Sequence, residues 1–178
     1  MSNPRIINGN MNIVHVETGA DIEEVRVLFQ EYAASLGFEL SFQNFDQEIR
    51  ELPGKYAPPK GCLLLARENA EAIGCVALRP LNRETCEMKR LYVRSTHREK
   101  SIGRLLAETV ITEAIKYGYA LMYLDTVPSM QAAKALYLSL GFRQIPPYYD
   151  NPIPGTVYLE LKLNPSCSTL YKSIYKKD

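Results

Sequence analysis

Glu87-Met88-Lys89-Arg90-Leu91-Tyr92-Val93, a short polar loop, and then Arg98-Glu99-Lys100-Ser101-Ile102-Gly103-Arg104-Leu105-Leu106 form the stretch on which the fold turns. Its first part has the make-up of a strand and its last part that of an amphipathic helix. A strand therefore runs through a basic loop straight into a helix N-terminus. Such a terminus carries unpaired backbone N–H groups and the positive end of the helix dipole, which favour phosphate. Arg98, Lys100 and Arg104 add positive charge there, and the small residues Ser101 and Gly103 let backbone approach a ligand closely. A pyrophosphate suits the segment. A capped helix with solvated charges accounts for the same residues equally well.

Toward the C-terminus the helix continues from Ser101 to Tyr117, with Ile102, Leu105, Leu106, Val110, Ile111, Ala114 and Ile115 on its apolar face and Gly118 after it. The pattern then predicts a strand over Leu121–Thr126, a helix over about Ser129–Leu140 ended by Gly141, and closing strands over Phe142–Ile145 and Thr156–Leu163. The loop Pro146-Pro147-Tyr148-Tyr149-Asp150-Asn151-Pro152 joins the last two. Toward the N-terminus lie three strands, Gly61–Arg67, Ala72–Leu81 and Cys86–Val93, with hairpin signals at Asn69 and at Asn82-Arg83-Glu84. A short helix over Asn44–Leu52 stops at Pro53-Gly54. A longer helix capped by Asp21 runs to Gly37, and a first strand spans Met11–Glu17. The order β-α-α-β-β-β-α-β-α-β-β predicts a mixed α/β sheet flanked by helices. We expect one domain over residues 1–178, with a core of about 11–163 and a polar tail from 164 to 178.

Composition narrows the function classes. A chain of 178 residues with 46% hydrophobic and 23% charged residues buries enough surface to fold without disulfides or metal. A net charge of +1 provides no basic field for nucleic acid. Cys62, Cys75, Cys86 and Cys167 form no C-x-x-C pair, and His15 and His97 lie far apart, so no metal site is expected. With no signal peptide and no apolar run of about 18 residues, no membrane partner is expected and the cytoplasm is the expected compartment. A homodimer is compatible with all of this. A Rossmann-type mononucleotide domain is excluded by order, because no strand opens into G-x-G-x-x-G near the N-terminus.

Arg98-Glu99-Lys100-Ser101-Ile102-Gly103 resembles the signature of the GNAT acetyltransferase superfamily: Arg or Gln, two residues, Gly, one residue, then Gly or Ala. Ala135-Leu136-Tyr137-Leu138-Ser139-Leu140-Gly141-Phe142 resembles a second element of that family, at the expected distance. The resemblance covers the chain from about the first strand to Leu163. It implies the GNAT-type acyltransferase fold, acetyl-CoA as cosubstrate with no metal, and an amine acceptor, either a small molecule or a protein amine. It also implies cofactor binding by Leu91, Tyr92 and Val93 and by the run from Arg98 through Glu99, Lys100, Ser101, Ile102 and Gly103 to Arg104. Two departures stand out. Ser101 replaces the usual glycine, so its backbone takes a negative φ or accepts strain. Met130 sits where many relatives have an asparagine.

The implied reaction sets chemical demands. An alkyl amine with a pKa of about 10.4 is protonated at neutral pH and must lose a proton before it attacks. Glu87, on the strand before the loop, matches the position where relatives often place a catalytic glutamate; the alternative is a strand glutamate paired with Lys89 or Arg90. Backbone N–H groups of Leu91–Val93 are placed to stabilise the oxyanion if that strand splays from its neighbour as in the family. A leaving thiol with a pKa of about 8.5 departs better when protonated, and Tyr137 matches the family's acid. Its alternative role is as a core tyrosine. The resemblance implies that Tyr148, Tyr149 and Asp150 border the acceptor groove, the alternative being a rigid structural loop between strands, and Phe38, Glu39 and Phe42 are a second candidate rim. The competing class is a coenzyme A-binding regulatory module without transfer activity, motivated by Ser101 and Met130.

Overall fold

A computed structural model describes residues 5–8 and 11–164. The side chains of residues 5–8, Glu99 and Lys100, and the whole of 1–4, 9–10 and 165–178, lie outside the described residues, Cys167 and nearly all of the polar tail among them. The elements are β1 (Arg5–Asn8), β2 (Met11–His15), α1 (Gly19–Ser35), α2 (Phe45–Glu51), β3 (Cys62–Glu68), β4 (Glu71–Pro80) and β5 (Thr85–Val93). They continue with α3 (Ile102–Lys116), β6 (Leu121–Thr126), α4 (Gln131–Ser139), β7 (Arg143–Ile145) and β8 (Val157–Lys162). Every element read from the sequence is present, and β1 is added ahead of them as an edge strand antiparallel to β2. Its four residues are too short a run to show a period.

The cap of α1 differs from expectation. Thr18, not Asp21, is the cap residue: the Thr18 hydroxyl accepts from the Asp21 amide at 3.1 Å, and the Asp21 carboxylate accepts from the Thr18 amide at 3.0 Å. This is a capping box, which satisfies two otherwise orphaned donors reciprocally. The helix therefore starts two residues before Asp21.

The eight strands form one sheet in the order β1-β2-β3-β4-β5-β6-β8-β7. The β3–β4 hairpin closes through Asn69 and Ala70, both at positive φ, 50° and 69°, as a tight two-residue turn requires. Alternation along β3 sends Cys62, Leu64 and Ala66 into a core with α3, and Leu63 and Leu65 into a second core with α1 and Tyr56. In β4 the phase changes: Ile73 faces the α3 core, while Cys75 and Ala77 face the other. The register slips here, and Gly74 allows it, because a Cβ on Gly74 would lie 2.7 Å from the Tyr92 carbonyl oxygen. Among the described residues no helix is long and apolar enough to cross a membrane.

One feature of the sheet positions the site. β5 and β6 run parallel and pair only at Thr85–Leu121, Cys86–Met122 and Glu87–Tyr123. β5 continues to Val93 and β6 to Thr126 without further pairing between them. The two strands part after Glu87. The left-handed backbone of Arg90 (φ 59°) bulges β5 against β4 over the same span.

Candidate active site

The splay leaves one edge of β5 without a strand partner, so backbone groups on that edge from Met88 onward are free for a ligand. The expected oxyanion donors, Leu91 to Val93, lie on this edge. A cleft of about 470 Å³ opens there, walled by Leu91, Tyr92 and Val93, by Arg98 and Gly103, by Met130, Ala133 and Leu136, and by Tyr32 of α1.

The basic loop forms a tight turn over Ser95–Lys100 that delivers the chain into α3. Arg98 Nε donates to the Val93 carbonyl at 3.1 Å, folding the loop back onto β5. Ser101 takes φ 58°, the left-handed conformation that a glycine would adopt, so it accepts strain rather than a negative φ. Among the described residues no side chain caps α3, so none of them occupies its first amides. At Gly103 an added Cβ would meet nothing nearer than 3.9 Å, so the helix presents bare backbone to the cleft.

Not all of the expected cofactor contacts converge. Ile102 is buried in the core, so only its backbone is free to serve. Arg104 donates to the Ser139 hydroxyl at 2.6 Å and lies 3.6 Å from Glu108, and it does not line the cleft. The Glu99 and Lys100 side chains lie outside the described residues.

Tyr137 projects from α4 into a cavity of about 30 Å³ where β5 and β6 part, shared with Leu91, Asp125, Thr126 and Met130. Its ring packs on Phe142 with centroids 5.7 Å apart. Burial pushes its phenol far above the usual tyrosine range, so the hydroxyl stays protonated and able to donate.

Glu87 is fully buried at the last paired rung. Arg79 Nε donates to its Oε2 at 2.6 Å, the Tyr148 hydroxyl donates to its Oε1 at 2.7 Å, and Lys89 Nζ lies 3.8 Å away. The Pro-rich loop thus closes over the sheet through Tyr148 and Tyr149, which pack edge-to-face against Tyr158. Asp150 is exposed. Phe38 and Glu39 line a separate groove at the end of α1 and do not join this site.

Sequence reasoning weighed Lys89 or Arg90 as the partner of Glu87, whereas Arg79 holds it at 2.6 Å with Lys89 at 3.8 Å. It passed over Asp125 and Glu48, which the fold brings here. Lys89 pairs with Asp125 at 3.2 Å, Arg90 binds Glu48 through 2.9 Å and 2.7 Å bonds, and Tyr56 donates to Glu48. A signal existed for Asp125, since aspartate is depleted in strand interiors. Cys62, Cys75 and Cys86 are buried free thiols, and burial raises all three.

The parallel pair β5–β6 thus splays beside the glycine-bearing start of α3, the arrangement expected from the resemblance to an acyltransferase fold. The profile described as the acetyltransferase (GNAT) family matches residues 23–142. An uncharacterised N-acetyltransferase of Schizosaccharomyces pombe is 43% identical over 157 residues, covering 87% of this chain and 96% of that protein. A crystal structure of an acetyltransferase from Streptococcus agalactiae superposes with a TM-score of 0.73 at 22% identity, covering 88% of this chain and 100% of the other. A GNAT family acetyltransferase from Elizabethkingia anophelis, crystallised with acetyl-CoA bound, superposes with a TM-score of 0.63 at 26% identity, covering 88% and 100%. The chain belongs to the GNAT acetyltransferase family. It is an acetyltransferase with the mixed, helix-flanked sheet of that fold.

Proposed function

We propose that the protein moves the acetyl group of acetyl-CoA onto the nitrogen of an amine by direct attack in a ternary complex. The parting of β5 from β6 after Glu87–Tyr123 carries this reading, because it opens an unpaired strand edge between the start of α3 and Tyr137. The acetyl-CoA bound to the Elizabethkingia anophelis relative supports the choice of cosubstrate. Bare backbone at Gly103 and the uncapped α3 start suit its pyrophosphate.

Bound acetyl-CoA would supply an activated acetyl thioester. The amides of Leu91–Val93 stabilise the oxyanion as the nitrogen lone pair forms the new C–N bond. Tyr137 gives its proton to the sulfur as the C–S bond breaks. Glu87 takes the proton lost by the amine, relayed through the Tyr148 hydroxyl or a water, since Arg79 and Tyr148 occupy its own oxygens. Glu87 then releases its proton to solvent and Tyr137 takes one up, which restores both groups. Buried thiols suit a reducing compartment, and we assign the reaction to the cytoplasm within a single domain.

Free-thiol release from acetyl-CoA over a panel of amines tests the proposal. We expect thiol and acetylated amine in equal amounts. Tight acetyl-CoA binding with no amine-dependent thiol release would leave a coenzyme A-binding regulatory module instead.

A further inference from the structure

We infer that Thr126, Gln43 and Asp125 form the subsite that receives the acceptor's nitrogen as a primary amine. The inference rests on the acetyl-transfer reading and adds the residues that touch the acceptor. Thr126 is the last residue of β6 and is buried, yet its Oγ1 has no hydrogen-bond partner. Gln43 approaches from the segment between α1 and α2, and its buried Oε1 is likewise without a partner. Both residues line the same cavity as Tyr137. Two orphaned buried oxygens in one cavity are costly unless a ligand completes them.

The surrounding network decides what kind of ligand. The Tyr149 hydroxyl accepts from Gln43 Nε2 at 3.1 Å and from Asn151 Nδ2 at 3.0 Å, which fills both acceptor sites of a phenol. The Gln43 amide nitrogen thus faces Tyr149, and its carbonyl oxygen is the free end. Asp125 takes donors from Lys89 at 3.2 Å and Asn151 at 3.1 Å, which leaves about two of a carboxylate's roughly four lone-pair sites open. Gln43 Oε1 and Asp125 can only accept, and the Thr126 hydroxyl accepts as readily as it donates. Lys89 and Arg90 line the same cavity, but their charges are committed to Asp125 and Glu48, so the open positions are acceptors that suit a small guest with N–H donors. A primary amine, beside the donor hydroxyl of Tyr137 and the open edge of β5, is such a guest.

The test has a binding arm and a kinetic arm. In the binding arm the full chain, with methyl-labelled Thr and Met, is titrated with methylammonium chloride and, separately, with tetramethylammonium chloride. We expect saturable shifts of the Thr126 and Met130 methyl signals with methylammonium alone. Equal shifts with both cations, or none with either, overturn the subsite. In the kinetic arm Thr126→Val, which keeps the shape and removes the hydroxyl, raises KM for the amine about tenfold with KM for acetyl-CoA unchanged, as loss of one hydrogen bond predicts. Asp125→Asn raises amine KM in the same direction. Unchanged amine KM in Thr126→Val overturns the subsite and leaves the acetyl-transfer reading intact. Absence of transfer to any amine overturns that reading, and methylammonium shifts at Thr126 then still support an amine subsite.

Discussion

The Tyr148 hydroxyl donates to Glu87 Oε1 across 2.7 Å, so a tyrosine from the Pro-rich loop closes the open end of a buried strand carboxylate. Burial and the carboxylate together hold the Tyr148 phenol far above the usual tyrosine range, so the proton stays on the tyrosine. The bond pins the loop to β5 beside the point where β5 and β6 part. Tyr148→Phe keeps the ring contacts with Tyr123, Tyr149 and Tyr158 and removes one hydrogen bond to a charged group. Stability should fall by about 1.5–3 kcal/mol, read as a lower urea midpoint at unchanged slope.

Glu87→Gln addresses the proton. If Glu87 takes the amine's proton, turnover at neutral pH should fall about 10²–10⁴-fold. The loss should shrink as pH rises, because the free-base fraction of an alkyl amine grows toward its own pKa and the base is needed less. Arg79 loses its charged partner in this variant, so the fold is checked by melting temperature and acetyl-CoA affinity before rates are compared. Equal wild-type and variant rates near neutral pH would return Glu87 to a structural role.

Gly103→Ala separates ligand approach from packing. A Cβ there meets nothing nearer than 3.9 Å, and replacing a helical glycine favours the helix by about 0.5–1 kcal/mol. The variant should melt no lower than wild type while acetyl-CoA affinity, measured by calorimetry, drops. Retained affinity would show that phosphate does not approach α3 at this residue.

The architecture was legible because its signals are local. Short apolar runs bounded by turn residues mark β3 through β5, helical spacing marks α3 and α4, and Gly118 and Gly141 mark their ends. Ser101 was flagged as a departure, and its left-handed backbone keeps the turn that a glycine would make. What the sequence could not show was convergence. Gln43, Lys89, Asp125 and Tyr149 belong to four separate segments, and only the sheet order and the folding-over of the loop bring them within hydrogen-bond reach. Arg104 shows the same limit: its charge lies in the motif, and the side chain turns toward Ser139. The Arg90–Glu48 pair was equally hidden, since it depends on the bulge that turns Arg90 toward α2.

Tyr137 holds the central claim. Its hydroxyl has no hydrogen-bond partner among the described residues, and its ring packs on Phe142 whether or not the hydroxyl is present. Tyr137→Phe should therefore fold like wild type and bind acetyl-CoA with nearly unchanged affinity, because the lost contact matters in the transition state. The deciding measurement is the single-turnover rate of acetyl transfer with enzyme in excess over acetyl-CoA, which removes product release from the observed rate. The account predicts a single-turnover rate about 10²-fold or more below wild type, at equal acetyl-CoA affinity. A wild-type single-turnover rate in Tyr137→Phe would contradict it and leave Tyr137 a packing residue of α4.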